Sequence, residues 1–494
     1  MKFPITPIFL HRIAKFATKV SVELEQNVAK ALEKVEYKPR KHPGVVKVKT
    51  IPMPEFLEET IPKVIGDYPL GAICRDAEAL DRYLWSRHPP PTVEEVKKKQ
   101  ERFRELLIEK HKINFAEMSE KERHDANNKL YNKVQARLKK EVYAWKNMQY
   151  DTYTSLQYLL GRSPGEYAAM YRILTEIRDR DPSFTPRSYF DFGSGVGSAL
   201  WATIGIWPKG GIFEYFMVDA SAEMNDLAEQ ILRRGNHDKE PMIRNFFFRQ
   251  FLPASTTNTY DLVVCAYTLF ELPSKDARLK TIKTLWAKCE NYLILVERGT
   301  RVGFHLITEA RNFLLKIDPE NCHVHSPCPH DTTCPRLADP DKTPCNFEAK
   351  YENLQAFHKD RYKTETFSYV VLHKKPRDPS RTEDSWPRIV RPVLVRSKHS
   401  ICRMCTKEGR LQEIIFTAAK HGKQVYQCAR KSNLGDRLPI NIINPEPEEV
   451  ENGLSPHFED EETISEKLPE DPENQEKFPE VTQVPELPKD PSLR

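Results

Sequence analysis

Cys322, Cys328, Cys334 and Cys345 fall within 24 residues of a chain that has ten cysteines in all. Most sit beside prolines, in Ser326-Pro327-Cys328-Pro329-His330-Asp331, Thr333-Cys334-Pro335 and Thr343-Pro344-Cys345. Proline lacks a backbone N–H and fixes φ, so the stretch reads as stiff open loop whose thiolates suit a soft metal centre. Cys402 and Cys405 follow with C-x-x-C spacing. The chemistry implied is ligation of an iron–sulfur cluster or of zinc. Structural zinc usually takes two close cysteine pairs, which the irregular spacing from Cys328 to Cys345 does not supply. Cys74, Cys265, Cys289 and Cys428 are isolated and read as core or surface thiols. A disulfide framework is not expected in a chain this large without a secretory signal.

A second constellation is Asp191-Phe192-Gly193-Ser194-Gly195-Val196-Gly197, placed between an apolar strand-like run and a helical one. Glycines permit a tight turn and let a ligand approach the backbone with no Cβ in the way. A dinucleotide fingerprint is spaced G-x-G-x-x-G; here the glycines alternate, with an acid two residues before the first. That form resembles the S-adenosylmethionine loop of class I methyltransferases. The resemblance implies that Asp191 meets the methionine end of the donor and that Gly193, Gly195 and Gly197 cradle it. Asp219, ending the next strand in Met217-Val218-Asp219, would then hold the ribose hydroxyls.

Catalytic residues are not assigned. Amino-group methyltransferases usually carry an Asn- or Asp-Pro-Pro-aromatic turn after the fourth strand, where this chain reads Cys265-Ala266-Tyr267-Thr268-Leu269-Phe270-Glu271. A thiolate adding to a pyrimidine ring would come from a Pro-Cys pair; Cys265 lacks that proline and reads as core. Glu271 and Glu297 stand near strand ends and read as structural.

These residues must be positioned by an α/β domain. Ser188–Asp191, Phe213–Val218, Tyr260–Cys265 and Tyr292–Val296 are short apolar runs, separated by helical patterns over Ala222–Arg233 and Ser274–Lys288. The alternation predicts a Rossmann-like parallel sheet covered on both faces. Thr366–Leu372 reads as a further strand, which makes 318–350 a cysteine-rich insertion in a methyltransferase-like domain of 153–376. Before it, 23–152 reads as a helical basic region, with one or two long exposed helices between Val93 and Trp145. After it, 377–440 reads as a small β-rich unit with strands over Ile389–Val395, Leu411–Thr417 and Gln424–Cys428.

The net charge of +5 hides an asymmetry. Glu446–Arg494 holds 16 acids and 4 bases, −12, which leaves +17 on the preceding residues. A basic body points to an anionic partner, nucleic acid first. The proline-rich acidic tail of 441–494 is too poor in apolar residues to fold. Residues 1–22 contain Lys2, Arg12, Lys15 and Lys19, no acid, and apolar residues between the bases, the composition of a mitochondrial transit peptide. No apolar run reaches the roughly 18 residues that would cross a bilayer.

Tyr167-Ala168-Ala169, the glycine loop, Val296-Glu297-Arg298-Gly299-Thr300 with Gly303-Phe304, Ser326–Asp331, Tyr426, Ala429-Arg430-Lys431 and Gly435-Asp436 occur in the order found in one family. By these the chain resembles the methyltransferase-like 17 family of mitochondrial small-subunit ribosomal assembly factors. The resemblance implies a class I methyltransferase fold, S-adenosylmethionine binding, a [4Fe–4S] cluster, and action in the matrix on the small ribosomal subunit, its rRNA, its proteins and other assembly factors. It carries the cluster ligands onto Cys328, Cys334 and Cys345, with Cys405 preferred as the fourth and Cys402 as its alternative. Cys322 becomes additional, and His323, His325 and His330 become loop-packing residues. An assembly factor with little or no chemistry is expected; the alternatives are an active rRNA methyltransferase and a zinc-stabilised RNA-binding protein.

Overall fold

A computed structural model describes residues 21–443, except 47, 142–146, 209, 210, 256, 355, 356, 358 and 359. The expected transit peptide, up to residue 20, and the acidic tail from residue 444 lie outside the described residues. Everything described belongs to one compact unit ending at Pro445.

Its centre is an eight-stranded sheet. The strands are β1 (Ser188–Phe192), β2 (Glu214–Val218), β3 (Phe246–Arg249), β4 (Tyr260–Ala266), β5 (Cys289–Arg298), β6 (His323–Ser326), β7 (Phe347–Glu352) and β8 (Tyr362–His373). Their order is β3-β2-β1-β4-β5-β8-β6, with β7 paired to β8. Strands β1 to β5 are parallel, with Phe190 opposite Phe216 on one side and Val263 on the other. Leu262–Cys265 and Tyr292–Val296 are buried, as expected of apolar runs covered on both faces.

The expected parallel sheet is in fact mixed. β8 runs antiparallel to β5, pairing Leu295 with Val370, and antiparallel to β6 and β7. The reason is the connection: β8 returns from β7 as the second arm of a hairpin, with Phe347 opposite Phe367, instead of following a helical crossover. This order with one reversed strand is the class I methyltransferase sheet. The chain steps outward from β1 to β3 and then resumes at β4 on the other side of β1, so the crevice between β1 and β4 is the ligand-binding switch point of open α/β sheets.

Helices Ser163–Arg180, Ser198–Ile206 and Ala222–Leu232 bury Met170, Ile173, Leu200 and Met224 against one face. Helices Lys275–Lys288 and Arg301–Ile317 bury Ile282, Leu285 and Leu314 against the other. The charged stretch forms two helices, Val93–His111 and Glu120–Glu141, paired over Phe103, Leu130, Val134 and Leu138. Thr92 and Glu95 start the first with reciprocal side-chain bonds of 3.1 and 3.0 Å to backbone N–H groups.

The C-terminal unit is built on β9 (His399–Cys405) and β10 (Leu411–Thr417), with two-residue strands Arg388–Ile389 and Leu394–Val395. Gln424–Cys428, expected as a strand, lies inside the helix Lys423–Lys431. Val425, Tyr426, Cys428 and Ala429 are its buried residues, a three- and four-residue spacing that only a helix turns to one side. Residues 21–33 join this unit: Ser21–Leu24 pairs with Ile440–Ile443, and Val28 and Leu32 pack on its core. Ser21 and Val22 are thus strand residues, as are Asn441 to Ile443 at the opening of the expected tail.

Candidate metal centre and cofactor pocket

Cys328 and Cys334 follow β6, Cys345 precedes β7, and Cys405 ends β9. All four line one small cavity, walled also by Phe347 and Val390. β9 separates the two cysteines of the C-x-x-C pair. Side chains alternate along a strand, so positions three apart point to opposite faces. Cys402 faces the C-terminal core, with its Sγ 3.7 Å from the Ala429 carbonyl oxygen, while Cys405 faces the cavity. Cys322 is buried in the core behind the sheet and is not a wall of the cavity.

The loop from β6 is held on every side. Asp331 accepts from the Val324 N–H at 2.7 Å and from Arg377 Nε at 2.7 Å. Arg311 donates to the His330 carbonyl at 2.9 Å, and Arg388 Nε donates to that of Pro327 at 2.8 Å. Arg388 in turn pairs at 2.5 Å with Glu176 of the helix Ser163–Arg180. His330, expected as packing, also places Nε2 3.2 Å from Cys405 Sγ. Burial pushes the Cys334 thiol up to about 11, helped by the neighbouring Cys328, and drives Cys405 well up with Cys328, Cys345 and Cys334 as its electrostatic neighbours. Among the described residues no three His, Cys, Asp or Glu side chains group as a single bound ion needs.

The glycine loop lies at the switch point. Gly193, at φ +75°, has no room for a side chain, since a Cβ would come within 2.0 Å of Thr268 Oγ1. Gly195, at φ +52°, faces open space. Its N–H donates to Asp219 Oδ2 at 2.9 Å, and the Ser221 N–H donates to Oδ1 at 2.9 Å, so Asp219 is fixed beside the loop. Asp191 is buried and accepts from the Tyr189 hydroxyl at 2.8 Å, but its Oδ1 has no partner among the described residues. Burial raises its pKa to about 7, against the Tyr189 bond and with the Asp219 charge.

An adjoining small cavity lies over the ends of β4 and β5, lined by Trp85, Arg87, Tyr150, Tyr267, Glu297 and Arg298 among others. Tyr267 stands at φ +57°, uncommon for an aromatic residue and characteristic of functional turns. Glu271 is bound bidentately by Arg87, 184 residues away, with one arm at 2.9 Å, and accepts from the Met148 N–H at 3.2 Å. Glu297 accepts from the Phe270 N–H at 3.1 Å, and burial raises it to about 7. Both acids therefore tie the N-terminal region and the β4 turn to the sheet. Sequence reasoning missed Arg87 and Tyr267: an ion pair across 184 residues leaves no local pattern.

Residues 152–439 match the family model described as mitochondrial small ribosomal subunit Rsm22. The chain is 38% identical over 408 residues to the human mitochondrial ribosome assembly protein METTL17, covering 81% of this chain and 86% of that protein. It is 28% identical over 330 residues to the mitochondrial Rsm22-cox11 tandem protein 2 of Schizosaccharomyces pombe, covering 58% of this chain and 43% of that one. A solved magnesium protoporphyrin IX methyltransferase from Synechocystis with bound SAM aligns at 15% identity and a TM-score of 0.28, over 50% of this chain and 93% of that chain. The family match spans more than half of the chain and the human relative extends across most of the rest, so the chain belongs to the Rsm22 family of mitochondrial small ribosomal subunit assembly proteins.

Proposed function

We propose that this chain works in the mitochondrial matrix as an assembly factor that binds the immature small ribosomal subunit and its rRNA, and serves mitochondrial translation as a scaffold more than as a catalyst. It holds a [4Fe–4S] cluster on Cys328, Cys334, Cys345 and Cys405. The observation that carries this is the convergence of four thiols from three separate chain segments on one cavity. A zinc ion needs its sulfurs about 2.3 Å from one point, and the absence among the described residues of any three ligand-type side chains grouped for a single ion supports a larger cluster over zinc. A cluster there supplies positive charge that makes thiolates of buried thiols and couples local folding to metal loading. Anaerobic purification with iron, sulfide and zinc analysis tests it: one zinc per chain and no sulfide overturns the cluster in favour of the zinc reading.

S-adenosylmethionine fits the switch point. The unpartnered buried Oδ1 of Asp191 would take the donor's ammonium, Gly195 leaves space for its body, and Asp219 can accept from its ribose. The strained Tyr267 and the adjoining cavity favour a second reading, an active rRNA methyltransferase. Assembly assayed with Gly195→Leu and Cys405→Ser separates the two. Assembly that survives the first and stops with the second supports the scaffold; rRNA methylation lost with the first supports the enzyme.

A further inference from the structure

Parallel crossovers usually carry a helix that covers the sheet. Ser198–Ile206 serves β1 to β2, Ala222–Leu232 serves β2 to β3, and Lys275–Lys288 serves β4 to β5. The connection from β3 to β4, from Gln250 to Thr259, has no helix among its described residues. One face of β2 and β3 at the open edge of the sheet therefore lacks a helical layer. Aromatic rings run across it: Phe190 stacks on Phe216 at 5.5 Å, and Phe216 meets Phe247 at 6.3 Å. At the margin the rings emerge, with Phe247 39%, Phe213 58% and Phe251 80% exposed.

Arginines frame these rings. Arg187 lies 5.5 Å from the Phe213 ring, and Arg249 lies 5.9 Å from both Phe216 and Phe247. Neither has an ion-pair partner among the described residues, nor does exposed Arg244. Residues 241–259 contain no Asp or Glu. Glu214 of β2 is the acid near Tyr260, and Arg249 Nη1 donates to the Phe248 carbonyl at 2.8 Å, but no carboxylate among the described residues pairs with Arg249 or Arg244, so this stretch of the edge is positive and aromatic.

We infer that this edge is a platform for unpaired RNA, bases stacking on Phe247 and Phe251 and phosphates meeting Arg249 and Arg244. Single-stranded RNA is recognised by stacking on aromatic rings beside cationic groups, because unstacked bases offer π faces that a duplex hides. A protein partner here would have to bring both carboxylates for the guanidinium groups and apolar groups for the rings, whereas unpaired RNA carries phosphates and π faces together. The inference rests on the rRNA-binding reading above and names the surface that performs it.

The test measures binding of the full chain to small-subunit rRNA, to a single-stranded RNA of about a dozen nucleotides, and to its duplex. Phe251→Ala is expected to weaken single-strand binding about 5-fold or more, and Phe247→Ala with Phe251→Ala about 25-fold or more, with little effect on the duplex. Arg249→Gln is expected to lower the salt slope by about one. Unchanged melting temperatures check the fold, and the Arg249 arm decides if the aromatic variants melt early. Variants that bind the single strand like the parent overturn the platform while leaving the rRNA-binding reading intact. A parent that fails to bind any of these RNAs overturns that reading and the platform with it. Variants that keep RNA affinity but no longer co-sediment with purified small subunits overturn the platform in favour of a protein partner.

Discussion

His330 Nε2 lies 3.2 Å from Cys405 Sγ, joining the loop after β6 to the last residue of β9 across 75 residues of chain. The contact sets Cys405 apart from Cys402, whose sulfur faces the other side of the strand. Cys405→Ser is therefore expected to lose bound iron and to cost several kcal/mol of stability, because metal binding here is also folding energy. Cys402→Ser should retain iron and cost only its local packing. Iron per chain and a denaturant melt measure both; equal iron loss in the two variants would remove Cys405 from the ligand set.

Gly195 gives a separate test of the donor pocket. Leucine there is strained by φ +52°, at about 1 kcal/mol, and fills space that is open in the parent. At donor concentrations about 100-fold above Kd, the parent should gain about 2.7 kcal/mol of stability and Gly195→Leu nothing. Calorimetric melts with and without S-adenosylmethionine read this directly. A variant that gains as much as the parent would place the donor elsewhere.

Glu176 is buried between Arg388 and Arg180, at 2.5 and 3.0 Å. Burial opposes its charge, yet the two guanidinium groups outweigh that and hold it at about 2. Removing Glu176 leaves buried Arg388 without its carboxylate, while Arg180 keeps Asp384 at 2.7 Å, so Glu176→Gln is expected to cost about 3–5 kcal/mol. Since Arg388 also holds the Pro327 carbonyl, the variant should loosen the cysteine loop and release iron faster to a chelator. A denaturation midpoint like the parent's would show the Glu176 ion pairs to be dispensable for stability.

Physical reasons separate what the sequence revealed from what it hid. β1, β2, β4, β5 and β8 were legible because strands buried on both faces must be apolar runs. β3 is only four residues long, with alternating burial, and lies beside a helix-free loop, so nothing framed it. β6 and β7 carry His323, His325, Glu348 and Lys350 among prolines and cysteines, and read as loop. Gln424–Cys428 fits two periods over five residues, and length alone could not arbitrate. Cysteines close in sequence pointed to a shared site, and three of those four, Cys328, Cys334 and Cys345, do line one cavity. Only the pleat of β9 separates Cys405 from Cys402 in space, and the Arg87–Glu271 pair left no trace at all.

His373 supplies a pH test away from the cysteines. Its ring stacks on Tyr292 at 4.2 Å, beside His323 at 5.2 Å and His325 at 6.3 Å. Burial first, then His323 and Lys375, lower its pKa to about 3, against the pull of Asp181; burial and Arg180 hold His325 well below its ordinary value. In the unfolded chain both titrate near about 6.5. At these histidines the folded state binds fewer protons than the unfolded one below that pH, so their contribution to stability is full above about 6.5 and is lost as pH drops toward 3. Each such histidine contributes up to about 1.4 kcal/mol per pH unit. His42, lowered to about 4 by burial and Arg437, shares this slope, while Asp191 and Glu297, both raised to about 7 by burial, hold protons in the folded state across the same window and oppose it. His373→Phe keeps a ring on Tyr292 and removes one titrating group, so urea midpoints measured between about pH 7 and 5 should fall less steeply than the parent's. A variant with the parent's slope would show that His373 is protonated in the folded protein as readily as in the unfolded chain.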